Sequence, residues 1–388
     1  MTNHSMNMRK IETEITGTHP SHLTKKIILT VAVMALAGLG AHAQFLPQHL
    51  AVLRAGNGTV DLHLKQAPTF VDEFTPGALN NGPVMSVALP TNGPTSIFFN
   101  GHAATEGMLS LSADGKLLTF AGYGGKTLLE QGGTPSLMDI GRAVCTVDAA
   151  GKATMTIYEQ HGGPAKMNPR GAVTDGAGHF WTCGNASGTA FYDAGGDTLQ
   201  LFSAIPDSRQ VKIIAGTLYA SLNEADATYL DTEPGIFSFE DGGQAAALPE
   251  ATNTTLKLVV PASKPYDKIA GFDLSPDGNT AYLADVESGI EKYVKLNGHW
   301  KLAYNFAIPQ NIMESSNHAD GCFAVAVDFS GSSPIIYATT TEGYNGSVNS
   351  NRVVQIVDTN SAATVTTIAQ APSENIAYRG IAFTPGSK

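Results

Sequence analysis

The sequence predicts an all-β fold, and three observations predict it. No stretch after residue 43 has the apolar spacing of an amphipathic helix. Short runs rich in Val, Ile, Tyr, Phe and Thr instead recur between Gly, Asp and Asn turns. Two of these phrases are near copies, Leu109-Ser-Leu-Ser-Ala-Asp-Gly-Lys-Leu-Leu-Thr-Phe-Ala-Gly122 and Phe272-Asp-Leu-Ser-Pro-Asp-Gly-Asn-Thr-Ala-Tyr-Leu-Ala-Asp285. Each reads as a strand, an Asp-Gly turn and a second strand, because Asp-Gly supplies the positive φ angles that a tight hairpin demands. The 388 residues include 41 Gly and 20 Pro, but 43% are hydrophobic and the glycines keep no short period, which excludes collagen-like and wholly disordered chains.

Before the first strand lies a targeting pattern. Residues 1–24 are polar, Lys25 and Lys26 follow, and an apolar stretch of 14 residues from Ile27 to Gly40 ends at Ala41-His42-Ala43. That stretch is shorter than the ~20 residues of a membrane-spanning helix, and small residues stand where signal peptidase needs them. Residues 1–43 are therefore expected to be a signal peptide, cleaved after Ala43, and residues 44–388 a single secreted domain, periplasmic or extracellular. No later segment is apolar enough to span a bilayer. The mature chain would hold 19 Lys+Arg against 32 Asp+Glu, a balance that argues against a grip on nucleic acid or an anionic membrane.

The strands follow in order. Leu50–Arg54 and residues 69–90 come first. The full copy at 109–122 is followed by looser ones at 171–184 around Asp175-Gly176, 211–222 around Ala215-Gly216 and 323–340 around Ser330-Gly331, with the second full copy at 272–285. After each comes a less regular pair, at 142–158, 188–205, 235–260, 289–308 and 351–369. Each unit is then a four-stranded meander. The remaining unit is split: Tyr378-Arg-Gly-Ile-Ala-Phe-Thr-Pro385 reads as a first strand, and the N-terminal runs supply the other three. Repeated meanders with shared termini predict a six-bladed β-propeller, since closing the ring removes free sheet edges. Seven blades, with strands hidden in 223–260, and a β-sandwich are the alternatives.

The three cysteines, Cys145, Cys183 and Cys322, allow one internal disulfide at most and match no zinc spacing; each sits in a strand-like run as a small hydrophobe. His179 beside Phe180-Trp181 reads as a structural histidine. The turns inside the first hairpins are short, whereas the opposite face receives the long segments 91–105, 124–141, 160–169, 223–234, 309–320 and 341–350. Long loops on a rigid scaffold commonly carry function, so binding is expected on that face. The residues starting the innermost strands are charged: Glu106, Arg170, Arg209, Asp320 and Arg379, with Asp267 and Lys268 just before the remaining start. In a chain only 15% charged, this concentration predicts either inter-blade salt bridges or a polar funnel whose arginines take a small anionic or polyhydroxylated ligand or a cell-envelope component.

Val52-Leu-Arg-Ala-Gly56, Thr105-Glu-Gly107 with Ser112-Ala-Asp-Gly115, Ala281-Tyr-Leu-Ala-Asp285 with Gly289-Ile-Glu-Lys292, and Tyr378-Arg-Gly-Ile-Ala-Phe383 resemble the repeats of secreted bacterial β-propeller proteins of no assigned activity. That resemblance implies a secreted binding or scaffold module. A second resemblance, to calcium- or zinc-dependent lactonases of the regucalcin and gluconolactonase type, rests on Glu106-Gly107 and Asp320-Gly321, which look like two of that group's three metal-ligand contexts. It implies a metal at Glu106 and Asp320 and a lactonase or related ester hydrolase. The third context departs, with Ala270-Gly271 where an Asn is expected, and Arg170 nearby would oppose a cation.

Overall fold

Apolar runs punctuated by Gly and Asp fold locally into antiparallel meanders, and the computed structural model shows how these assemble. It describes residues 44–388 apart from 63–65, 104, 126–139, 160–167, 186–187, 194–199, 202–206, 224–232, 242–243, 247, 251–253, 310–320, 343–350, 374 and 388. The expected signal peptide and most of the expected long loops fall outside the described residues.

β1 (Leu50–Ala55), β2 (Ala67–Phe74) and β3 (Met85–Ala88) lie side by side, antiparallel. The short β4 (Ile97–Phe99) joins them to a second meander of β5 (Ser110–Leu111), β6 (Leu117–Gly124), β7 (Gly141–Asp148) and β8 (Ala153–Glu159). A separate sheet holds β9 (Pro169–Thr174), β10 (His179–Gly184), β11 (Gly188–Asp193) and β12 (Gln200–Leu201). The next holds β13 (Ser208–Ile214), β14 (Thr217–Leu222), β15 (Gly235–Asp241), β16 (Gln244–Ala246) and β17 (Thr254–Pro261). Two more four-stranded sheets follow: β18 (Ile269–Leu274), β19 (Thr280–Asp285), β20 (Gly289–Leu296) and β21 (His299–Phe306), then β22 (Cys322–Asp328), β23 (Ile335–Thr340), β24 (Arg352–Val357) and β25 (Val365–Gln370). The last strand, β26 (Ala377–Phe383), pairs with β1, so the two ends of the chain share one meander.

The result is an all-β, propeller-like arrangement of small sheets, with no α-helix among the described residues. Hydrogen bonding groups the strands into five sheets, because β4 bonds both β2 and β6 and merges two meanders into one nine-stranded sheet. β4 lies where the sequence predicts only loop, in segment 91–105. Its Ile97-Phe98-Phe99 run is wholly buried, and an extended run of that composition pairs wherever a strand edge is offered. Within 223–260, β16 and β17 both pair with β15, so these strands extend one sheet and found no new one.

The core is a set of wedges between successive sheets. Leu53, Val71, Phe99, Phe120 and Val147 pack between the first two meanders, and Ala121, Val144, Ala172, Phe180 and Tyr192 between the second and third. Val173, Trp181, Val211 and Leu218 fill the next gap, Ile236, Phe272 and Leu283 the one after, and Tyr282, Val325 and Ile356 the one after that. Val52, Ile381, Ala324 and Ile368 return to the shared meander. Cys145, Cys183 and Cys322 are free and buried in three different wedges, as expected for small hydrophobes, and burial pushes all three thiols up.

Candidate functional site

The first strand of each meander, β26, β5, β9, β13, β18 and β22, lies innermost. Met108 and Gly171 bridge β5 and β9 in parallel, and Gly380 N donates to Gly107 O between β26 and β5. These strands have no room for side chains at their closest approach. A Cβ on Gly380 would stand 2.3 Å from Leu109 N, and one on Gly271 would stand 2.8 Å from Ala324 Cα. The innermost strands therefore converge on a common axis, with one mouth where they begin and one where they end.

Four of the charged residues expected at the beginnings are indeed brought together there. Arg379 is buried and spends its guanidinium on the chain: Nη1 donates to the carbonyls of Ala103 and Glu106, Nη2 to those of Asn100 and Gly101. Glu106, also buried, accepts from Asn100 N and Tyr123 Oη, each at 2.9 Å. Burial pushes its carboxyl up to about 7, against the opposing pull of Arg379 and, more weakly, Arg170. Arg170 and Arg209 meet on one carboxylate, that of Asp207, which also accepts from Asn223 Nδ2 at 3.0 Å. These contacts tie β26 to the segment before β5, and β9 to the start of β13. Asp320 lies outside the described residues. His179 is a structural histidine held by Asp175, with Nδ1 2.6 Å from Oδ2.

Glu106 does not suit a divalent cation. Both oxygens already accept hydrogen bonds and the nearest described charges are guanidinium groups, so among the described residues a cation would meet repulsion and no convergent oxygens. Among the described residues no cluster of His, Cys, Asp and Glu has the geometry to hold a metal.

The other mouth is different. Gln210 in β13 is buried at 0% exposure, and its amide spans the axis, Nε2 donating to Leu109 O and Oε1 accepting from Phe272 N, both at 3.0 Å. This ties β13 to β5 and β18 and plugs the axis. Strand alternation puts Lys212 on the same side as Gln210, one step nearer the mouth. Lys212 Nζ donates to Val325 O at 3.1 Å and lies 3.5 Å from Asp273 Oδ2. Asp273 is held by Val327 N at 3.0 Å and Leu274 N at 3.1 Å. Burial lowers the Lys212 pKa, while the Asp273 carboxylate works to raise it.

Above this pair opens a cavity of about 930 Å³ at the strand ends. Leu111, Ile214, Phe329 and Phe383 contribute apolar wall, and His49, its Nδ1 2.7 Å from Glu73 Oε1, stands among the lining residues. The described cavity thus lies on the face opposite the one that loop length favours. Lys212 escapes a search for charged strand starts because it sits mid-strand. The available signal is Gln210 and Lys212 alternating with Val211 and Ile213, a polar face on a strand otherwise buried.

No family model matches the chain, and no curated protein matches it. Solved structures with a similar course include a putative 6-phosphogluconolactonase from Bacteroides fragilis (14% identity, 84% of this chain and 82% of that one, TM-score 0.41). A putative 6-phosphogluconolactonase from Bacteroides uniformis gives 16% identity over 84% of this chain and 83% of that one, TM-score 0.37. A protein of unknown function from Bacteroides thetaiotaomicron gives 11% over 76% and 80%, TM-score 0.41. Likeness at this level assigns no activity to this chain.

Proposed function

We propose that the chain is a secreted, six-bladed β-propeller that binds a small, largely apolar molecule in the cup at the ends of its innermost strands, with the molecule's polar end against Lys212 and Asp273. The blade count rests on strand pairing: β26-β1-β2-β3 and β5-β6-β7-β8 are each a complete meander, and β4 only straps them together. The observation that carries the binding reading is the cavity itself. Its volume of about 930 Å³ is that of small-molecule sites, its walls are mostly apolar, and Lys212 and Asp273 meet in its lining. The Gln210 plug makes it a cup and not a through-channel. In this reading the arginines at the opposite mouth hold blades together, since each already has carboxylate or carbonyl partners.

The test is a thermal-shift screen of the mature protein against apolar alcohols, ketones, lactones and carboxylic acids. A molecule that binds only the folded state stabilises it by about 2.7 kcal/mol at a hundredfold its Kd, so a hit gives a saturable rise in Tm. Leu111→Trp, which fills the cup from the wall, should weaken the hit at least about tenfold, or 1.4 kcal/mol. Binding unaffected by Leu111→Trp would place the site elsewhere.

A further inference from the structure

The polar end of the cup has a chemistry that goes beyond holding a ligand. Among the described residues lining the cavity, Lys212 supplies the only amine, beside two carboxylates, Asp273 and Asp328, and the ring of His49. That balance gives an anion little advantage, because both carboxylates would repel it. Nor is the amine locked into a tight ion pair. Around Nζ stand Val325 O at 3.1 Å, Asp273 Oδ2 at 3.5 Å and the ring of Phe272, its centroid 5.7 Å away, and the residue lines the cavity. Asp273 is fixed by backbone N–H groups of Val327 and Leu274, so it holds its place while the amine reacts.

We infer that Lys212 captures an aldehyde or ketone with an apolar body as an imine. The step needs no metal or redox partner. The neutral amine adds its lone pair to the carbonyl carbon, forming the C–N bond as the carbonyl π bond breaks, and one of its two N–H protons passes to the oxygen. The second N–H proton passes to the hydroxyl, the C–O bond breaks, water leaves, and a C=N bond is left. One amine and one carbonyl give one imine and one water. Asp273 is placed to take a proton from Nζ and return it to the leaving hydroxyl. Burial favours the neutral, nucleophilic amine in the same direction, and each unit by which a lysine pKa falls raises its amine fraction at neutral pH about tenfold.

This inference rests on the cup being a binding site, and the experiment separates the two. The mature protein is incubated at pH 7 with octanal and sodium cyanoborohydride, which reduces an imine to a stable secondary amine, and the modified lysines are mapped by peptide mass spectrometry. Lys212, which lines the cup that holds the aldehyde's apolar body, should be labelled several-fold faster than the exposed Lys116 and Lys301. Octanol, of the same shape but unreactive, should slow that labelling, and Lys212→Met should abolish the fast site. Labelling of Lys212 no faster than that of Lys301 overturns the inference, and this comparison within the native protein does not depend on any variant folding. A rise in Tm with octanol in that event would leave the cup as a binding site without covalent chemistry.

Discussion

Glu106 and Arg379 show how much a single buried pair can hold. The carboxyl is pushed up to about 7 because burial penalises its charge more than Arg379, Asn100 N and Tyr123 Oη reward it. A carboxyl raised in the folded state contributes stability that is full below its unfolded pKa, near 4.5, and is lost as pH rises through about 7. Unfolding measured between pH 4.5 and 7.5 should therefore show Glu106→Gln losing less stability with rising pH than the native chain. An identical slope in both would mean that Glu106 ionises freely. The charges themselves are legible in the sequence, since charged residues are scarce and these stand at strand starts. Their partners are not. Arg379 donates through Nη1 and Nη2 to carbonyls of residues 100–106, more than 270 positions away, and Arg170 pairs with Asp207, which no local pattern links to it. Hydrogen-bond partners of this kind are fixed by how strands meet in space.

At the scale of the hairpin the sequence is most readable, because the turn is chemically complete within itself. In Ser275-Pro-Asp-Gly-Asn279, Ser275 Oγ contacts Asp277 Oδ1 at 2.5 Å and accepts from Thr280 N at 2.8 Å, while Gly278 takes φ +68°. Ser112-Ala-Asp-Gly-Lys116 repeats this, with Gly115 at φ +72°. β4 is harder to read, since three apolar residues between turns carry no period, and its strand character comes from the edges of β2 and β6. Two glycines separate the local from the tertiary requirement. A Cβ on Gly278 meets nothing within 4 Å, so Gly278→Ala should cost only the left-handed backbone penalty, about 1–2 kcal/mol. Gly271 lies in the body of β18, yet its Cβ would press on the backbone of β22, 2.8 Å from Ala324 Cα. Gly271→Ala should cost more, about 3 kcal/mol, as overpacking against backbone does. Denaturant melts giving Gly278→Ala the larger loss would show that the innermost strands yield to one another.

Over the whole molecule, stability should depend on the pairing of the two ends, because the core is divided into wedges and each wedge needs a sheet on either side. Between the last sheet and the first, that neighbour is completed by β26, which brings Ala377, Tyr378, Ile381 and Ala382 into buried positions along β1. The ends are tied further by Thr384 Oγ1 donating to Leu46 O at 2.5 Å and by Gln48 N donating to Ser387 Oγ at 2.7 Å. Burying large apolar side chains contributes about 1.5–3 kcal/mol each, so losing β26 removes a large part of a typical domain's ~5–15 kcal/mol and also bares the edge of β1. A chain ending at residue 376 should lose its single cooperative transition and bind a dye that reports exposed apolar surface. The matched control keeps every strand and moves the break. It joins residue 388 to residue 44 through a short Gly-Ser linker and opens the chain between Asn297 and Gly298, a two-residue turn at φ +53° and +81° on the exposed rim of β20 and β21. That permutant should unfold in one transition close to the native one, since opening an exposed tip leaves all innermost strands paired. Were the truncated chain to melt as cooperatively as the permutant, the shared meander would be an ornament on a sheet array that is stable without closure.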